Sequence, residues 1–199
     1  NATAAGAFDT ILSQANLSIA TAGYVDTESW SAFADVTYAF TDALSLSLGG
    51  RYTRDEKTGR VYRQNFTGVG SPLFGNNLAV PGLLRSDFTS TDTYEKFTPR
   101  VSLSYDLNSE LTAYGSYSQG FKSGGFDMRA DAILTPDSRD GYDPETVDSY
   151  ELGLKGYFFD RRLSLNTAAF YAQYQDQQVT LQTPVGASIA SQVLNVGES

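Results

Sequence analysis

From Ser29 onward, apolar and polar residues alternate with period two, in runs of about ten residues or more. Successive side chains of an extended strand point to opposite faces, so this pattern predicts strands with one apolar and one polar side. Six runs stand out: Ser29–Phe40, Ala43–Arg54, Glu95–Leu107, Glu110–Phe121, Val147–Phe158 and Arg162–Tyr174. Glu95–Leu107 is the clearest. Phe97, Pro99, Val101, Leu103, Tyr105 and Leu107 share one side, and Lys96, Thr98, Arg100, Ser102, Ser104 and Asp106 the other. The last run loses its alternation after Asn166, where Phe170 falls on the polar side. None of the apolar-side positions at even residues 30–40, 44–52 and 150–158 and odd residues 97–107, 111–121 and 163–173 is charged, whereas the opposite sides carry Asp35, Arg51, Lys96, Arg100, Asp106, Glu110, Glu151, Lys155 and Arg162.

The connections alternate in length. Short ones fall at Thr41-Asp42, Asn108-Ser109 and Asp160-Arg161, which contain residues that build tight turns. Long ones, expected as loops, cover about 57–92, 122–146 and 177–192. Unstructured connections of that length count against a compact soluble domain. Short turns at one end and long loops at the other are the arrangement of an outer-membrane barrel. Two further features point the same way. The runs match the ~9–11 residues that a tilted strand needs to cross a bilayer, against ~5–6 in ordinary sheets. Tyr38, Phe40, Tyr52, Tyr105, Tyr117, Phe121, Tyr150 and Phe158 lie near strand ends, where interfacial girdles sit.

The fold expected is therefore all-β, an antiparallel transmembrane β-barrel wall. About six full strands are too few to close a barrel, so 1–199 is read as one region of a larger one. Leu194–Ser199 reads as the start of another strand, and Ala5–Ala15 as a short helix or loop with Phe8, Ile11, Leu12 and Ala15 on one side. Asn1–Ala20 lacks the pattern of a signal peptide, and neither Asn65–Leu84 nor Gln177–Gly197 has the sustained apolar run of a membrane helix. Two other readings fit parts of the pattern: a passive porin or small barrel, and a soluble β-sandwich binding module.

Composition narrows the chemistry. The 199 residues include no Cys and no His, which removes Cys/His zinc sites, disulfides, thiol nucleophiles and His-based triads. A net charge of -9 argues against nucleic acid as a partner. No cofactor or metal is expected. The acidic cluster Asp137, Asp140, Asp143 and Glu145 lacks calcium-loop spacing, and Gly120–Gly125 lacks that of a phosphate loop. Glu151 with Asp35 or Asp106 is the only carboxylate pair to weigh for hydrolysis, and nothing distinguishes it, so no enzyme activity is expected.

Several segments carry a family resemblance. Ser116–Phe126 (SYSQGFKSGGF) and Tyr142–Lys155 (YDPETVDSYELGLK) resemble stretches typical of TonB-dependent outer-membrane receptors. Phe158–Leu163, Ala169–Tyr171 and Leu48–Thr53 are similar to the same family, and together the matches span most of Ser29 to Glu198. The resemblance implies a barrel of about 22 strands in the bacterial outer membrane, filled by an N-terminal plug. It further implies uptake of ferric siderophores or related scarce ligands, driven by the inner-membrane TonB complex through the plug. No plug, energy-coupling (TonB) box or C-terminal aromatic end signal is found in these residues, so no gated transport is expected of this portion alone.

Candidate ligand contacts follow from that picture. Arg60, Arg63, Phe66, Phe74 and Arg85 in the first long loop, and Lys122, Phe126, Arg129 and Arg139 in the second, offer charge and stacking to an anionic ferric chelate. The plain alternative is loop packing and solvated charge. Arg51, Lys96, Arg100, Glu151 and Lys155 are expected to point into the lumen, towards the plug or the ligand path, with Tyr114, Ser116 and Ser118 in the same inward row. Their alternative role is cross-strand pairing within the wall.

Overall fold

The structure, a computed structural model, describes residues 18–67, 80–186 and 188–198. Seven strands form a single antiparallel sheet in sequence order: β1 Ser18–Ala39, β2 Leu44–Thr67, β3 Val80–Asn108, β4 Leu111–Lys122, β5 Glu145–Phe158, β6 Leu163–Val185 and β7 Ser188–Glu198. Each predicted run falls on one of them, with Phe40, Ala43, Glu110 and Arg162 one residue outside the strand ends. The call-and-response of faces across the ladder is regular: Ala34 pairs with Gly50, Tyr52 with Phe97, Val101 with Tyr117, Tyr117 with Tyr150 and Tyr150 with Tyr171. A one-residue slip in any pair would turn that strand's apolar set to the other side, so the register keeps the uncharged rows together.

That apolar face is uncovered, with Leu152 72% and Val36 65% exposed. A soluble sandwich needs a second sheet over it, and among the described residues there is none. The described strands instead form one continuous seven-stranded sheet, the arrangement of a barrel wall. Aromatic rows border the face. Trp30 meets Tyr52 at 5.4 Å between ring centroids, Tyr117 meets Tyr150 at 5.2 Å, and Tyr38 meets Phe40 at 5.0 Å. From Phe97 to Tyr105 the strand advances roughly 27 Å, which at a tilt of ~35–45° spans roughly 20 Å of the ~25 Å apolar band of outer-membrane barrels.

The long connections need correction. Residues 57–67 and 80–92 continue β2 and β3 and pair with each other, and 18–28 continue β1 alongside β2. Likewise 177–185 and 188–192 extend β6 and β7 as a hairpin. β3 runs for 29 residues, more than twice a membrane crossing. The polar, weakly alternating sequence of these arms hid them, because with no apolar solvent to face they need no apolar row. The segment 123–144 between β4 and β5 is a true loop, with one 3₁₀ turn at Pro136–Arg139 and an isolated bridge between Gly125 and Tyr142. Ala5–Ala15 and Phe74 lie outside the described residues.

The short turns sit where the sequence places them. Thr41 Oγ1 accepts the backbone N–H groups of Ala43 and Leu44, and Asn108 Oδ1 accepts that of Glu110. Such local side-chain bonds stand in for the ladder at a reversal. Phe159, Asp160 and Arg161 have positive φ, the left-handed geometry that suits a tight reversal between twisted strands.

Candidate functional site

On the polar face, the wall residues fall into two groups. In the first, Tyr114 donates its hydroxyl to Glu151 Oε1 at 2.5 Å, and Lys155 Nζ lies 4.8 Å from the Tyr114 ring centroid. Glu151 pairs along the ladder with Ser116 and with Phe170, whose ring is 76% exposed on this otherwise polar side. The residue opposite Tyr114 is Gly153, where a Cβ would collide with the phenol ring. In the second group, Phe33, Asp35, Arg51, Thr98, Arg100 and Ser118 line a groove of about 330 Å³. Arg51 Nε donates to Thr53 Oγ1 at 3.2 Å. Among the described residues, no direct ion pair joins Arg51, Lys96 or Arg100 to a carboxylate, although Asp35 shares the groove with Arg51 and Arg100. The nearby cross-strand pair Arg54 with Glu95, at 3.3 Å, lies on the other side of the sheet, in line with Tyr52 and Phe97.

Glu151 does not meet either acid considered with it. Asp35 is four strands away, roughly 19 Å, and Asp106 is two strands across and further along the sheet. Both exceed the ~5–9.5 Å between the carboxylates of a glycosidase.

Beyond the aromatic rows, the 123–144 loop folds onto the polar face of the β1–β3 arms. Glycine makes the close approach possible at two points. A Cβ on Gly59 would lie 2.6 Å from Phe126 Cδ2, and one on Gly124 would overlap the Tyr142 carbonyl oxygen. Phe126, Ala130 and Ala132 are buried in this contact, as are Val61 and Tyr94 of the arms. Polar straps hold it. The Asp131 carboxylate, 2% exposed, takes both Arg85 Nη2 and Arg85 Nε, the latter at 2.5 Å, with Arg63 Nη1 at 4.0 Å. Ser86 Oγ donates to Ala130 O at 2.7 Å and accepts the Ala132 N–H at 2.9 Å. Lys57 Nζ donates to Gly124 O at 2.8 Å, and Arg63 Nη1 donates to Arg129 O at 2.7 Å. The loop base is tied to the far arm, where Gln178 Nε2 donates to Ser123 O and Asp143 O and Asn195 Nδ2 donates to Asp143 O. One loop thus bridges two hairpin arms. Burial, then the Asp92 charge, raises the Tyr94 hydroxyl above its usual range; burial, then the Asp127 charge, does the same for Tyr142.

The loop candidates therefore have partners inside the protein. Arg63 and Arg85 converge on Asp131, Arg129 on Asp127 Oδ1 at 3.2 Å, and Lys122 on Glu145 at 3.6 Å. Phe66 is buried against Ala20 and Tyr62, and Phe126 against Gly59, so neither ring presents a face to a ligand. Arg139 lies over the Phe88 ring, and Arg60 is exposed on β2. Sequence reasoning missed Asp131, Ser86 and Asp127. Nothing local marks Asp131 and Ser86, whose partners Arg85 and Ala130 lie more than 40 residues away; Asp127 is bonded by Arg129, two residues on.

Comparison with known proteins follows from this geometry. A family model described as TonB dependent receptor-like, beta-barrel, matches residues 1–199. The ferric-pyoverdine M114 receptor PbuA of Pseudomonas sp. (strain M114) is 30% identical over 150 residues, covering 74% of this chain and 15% of that protein. The metal-pseudopaline receptor CntO of Pseudomonas aeruginosa (strain UCBPP-PA14) is 34% identical over 138 residues, covering 69% and 18%. Among solved structures, the ferric yersiniabactin uptake receptor FyuA from Yersinia pestis superposes with a TM-score of 0.62 at 23% identity, over 81% of this chain and 22% of that one. This last likeness is one of fold. The chain spans less than a quarter of the length of these curated relatives.

Proposed function

Because the chain belongs to the TonB-dependent receptor β-barrel family, a family of the outer membrane, we propose that it forms part of the barrel wall of an active-uptake receptor for ferric siderophores or similar metal chelates. The observation that carries this reading is the one-sided sheet. Lipid solvates the uncharged face, and the face bearing Arg51, Lys96, Arg100, Glu151 and Lys155 lines the lumen. In a complete receptor the cations of that face oppose the plug or attract an anionic chelate, while the docked loop narrows the outer mouth. The cargo class is supported by the receptors it resembles, PbuA for ferric pyoverdine and CntO for metal-pseudopaline. Catalysis has no place in this scheme; energy enters through the inner-membrane TonB complex acting on the plug.

Uptake of a radiolabelled ferric siderophore panel by cells carrying the full-length receptor tests the proposal. Accumulation of at least one chelate should require the receptor and collapse when TonB is deleted. Accumulation that persists without TonB would instead identify a passive porin.

A further inference from the structure

A single exposed ring is ordinary on a protein surface, but Phe33 does not stand by itself. It is 77% exposed on the polar face, directly across the ladder from Arg51 and on the same side of β1 as Asp35. Gly49 lies opposite Asp35 on one side and opposite Arg100 on the other. Glycine there lets the Asp35 side chain lie across β2, since a Cβ would be 2.5 Å from Asp35 Oδ2. The bond from Arg51 Nε to Thr53 Oγ1 sets the plane of that guanidinium. Ring, carboxylate and two guanidinium groups thus line one groove of about 330 Å³, and all four side chains are open to solvent. A second space of about 530 Å³ shares Arg51, Thr98 and Gln119 with it and reaches Lys122 at the foot of the 123–144 loop. A continuous route therefore runs from the loop down to Phe33.

We infer that this groove is a binding subsite for a hydroxylated aryl group bearing a carboxylate, carried by an external small molecule. The ring would stack on Phe33, Arg51 and Arg100 would hold the carboxylate, and the ring hydroxyl would donate to Asp35. Each requirement comes from a different group on the page. An exposed phenyl face takes a flat partner, and offset stacking favours an arene over an aliphatic ring. A guanidinium fork matches the two oxygens of a carboxylate in one plane. The ionised Asp35 accepts hydrogen bonds and repels a second anion, so it selects a donor at the far end of the ligand. A simple inorganic anion would leave the ring and Asp35 unused, and an organic cation would meet two guanidinium groups. A shallow groove with an apolar contact and a few convergent polar groups is the usual form of a small-molecule site. The inference rests on the proposed assignment of this face to the lumen of an uptake receptor, from which a solute reaches the groove.

Saturation-transfer NMR of 4-hydroxybenzoate with the detergent-purified full-length receptor provides the test. Transfer to the ring protons is expected for the wild type and should fall at least fivefold in Phe33→Ala and, separately, in Arg51→Gln. Phe170→Ala removes the other exposed ring of this face and should leave transfer unchanged. Cyclohexanecarboxylate at equal concentration has the charge without the arene or the hydroxyl, and should not displace the probe. No transfer in the wild type overturns the assignment, and is also the result if the plug covers the groove. Equal transfer in the wild type and the Phe33 and Arg51 variants, loss in the Phe170 variant, or displacement by cyclohexanecarboxylate each overturns it too. The uptake assay separates this failure from that of the receptor reading. A receptor that accumulates a chelate only with TonB, yet binds no 4-hydroxybenzoate, refutes the subsite alone.

Discussion

At the residue scale, a side chain's consequence is set by which face it occupies. Leu103 sits on the apolar side between Leu46 and Gly115, while Ser102, one residue earlier, faces Ser47 and Ser116. In the full-length receptor, Leu103→Arg should cost ~2–4 kcal/mol, since a charge near the bilayer midplane must be desolvated. Ser102→Arg should stay within about 0.5 kcal/mol, because its new charge is in water. Equilibrium unfolding in lipid vesicles measures both, and equal losses would contradict the facing. Phe33 and Phe170 obey the strand period yet are apolar on the polar side, at 77% and 76% exposed. Their positions were readable from the sequence. Why a ring belongs there was not, because the surface they would meet is not among the described residues.

At the scale of elements, the docked loop is where sequence reasoning was weakest and where two expectations can be checked. Asp131 is the shared anchor of Arg63 and Arg85. Asp131→Ala leaves a mostly buried guanidinium unpaired and should weaken docking by ~3–5 kcal/mol. Trypsin should then cut after Arg129 and Arg139 many times faster than in the wild type, with the membrane strands unaffected. Unchanged cleavage would mean that the apolar contact of Phe126 with Gly59 suffices. The second expectation concerns alkali. Tyr94 and Tyr142 have raised pKa values in the docked loop, chiefly through burial, against ~10 when released. Their contribution to docking is therefore complete below pH ~10 and is lost as pH climbs towards the docked values. Tyrosinate absorbance should show a late-titrating fraction that loses two tyrosines in the Tyr94→Phe, Tyr142→Phe double variant. An identical titration curve for wild type and variant would rule this out.

At the scale of the molecule, the described sheet has two unpaired edges, β1 and β7, and one broad apolar face. Both features drive association in water. The 199-residue chain expressed alone should sediment as large aggregates without detergent; a monodisperse, cooperatively unfolding species would be incompatible with lipid as the natural solvent of that face. The wall strands of this sheet were legible because the bilayer imposes its own pattern: a strand with lipid on one side and water on the other must alternate. The arms beyond it, 18–28, 57–67 and 80–92, face no such constraint, and their sequence reads as loop although they pair as ladders, with a break in register near Gln64.

The boundary between what sequence and tertiary structure decide thus follows the range of the forces involved. Side-chain alternation, turn chemistry and the exclusion of charge from one face are local consequences of strand geometry in two solvents, and the residues alone determined them. How far the hairpins extend, where the 123–144 loop lands and which carboxylates are buried depend on contacts such as Arg85 with Asp131 and Lys57 with Gly124. Those partners meet only once the ladder has brought distant segments together, so only the folded chain decided them.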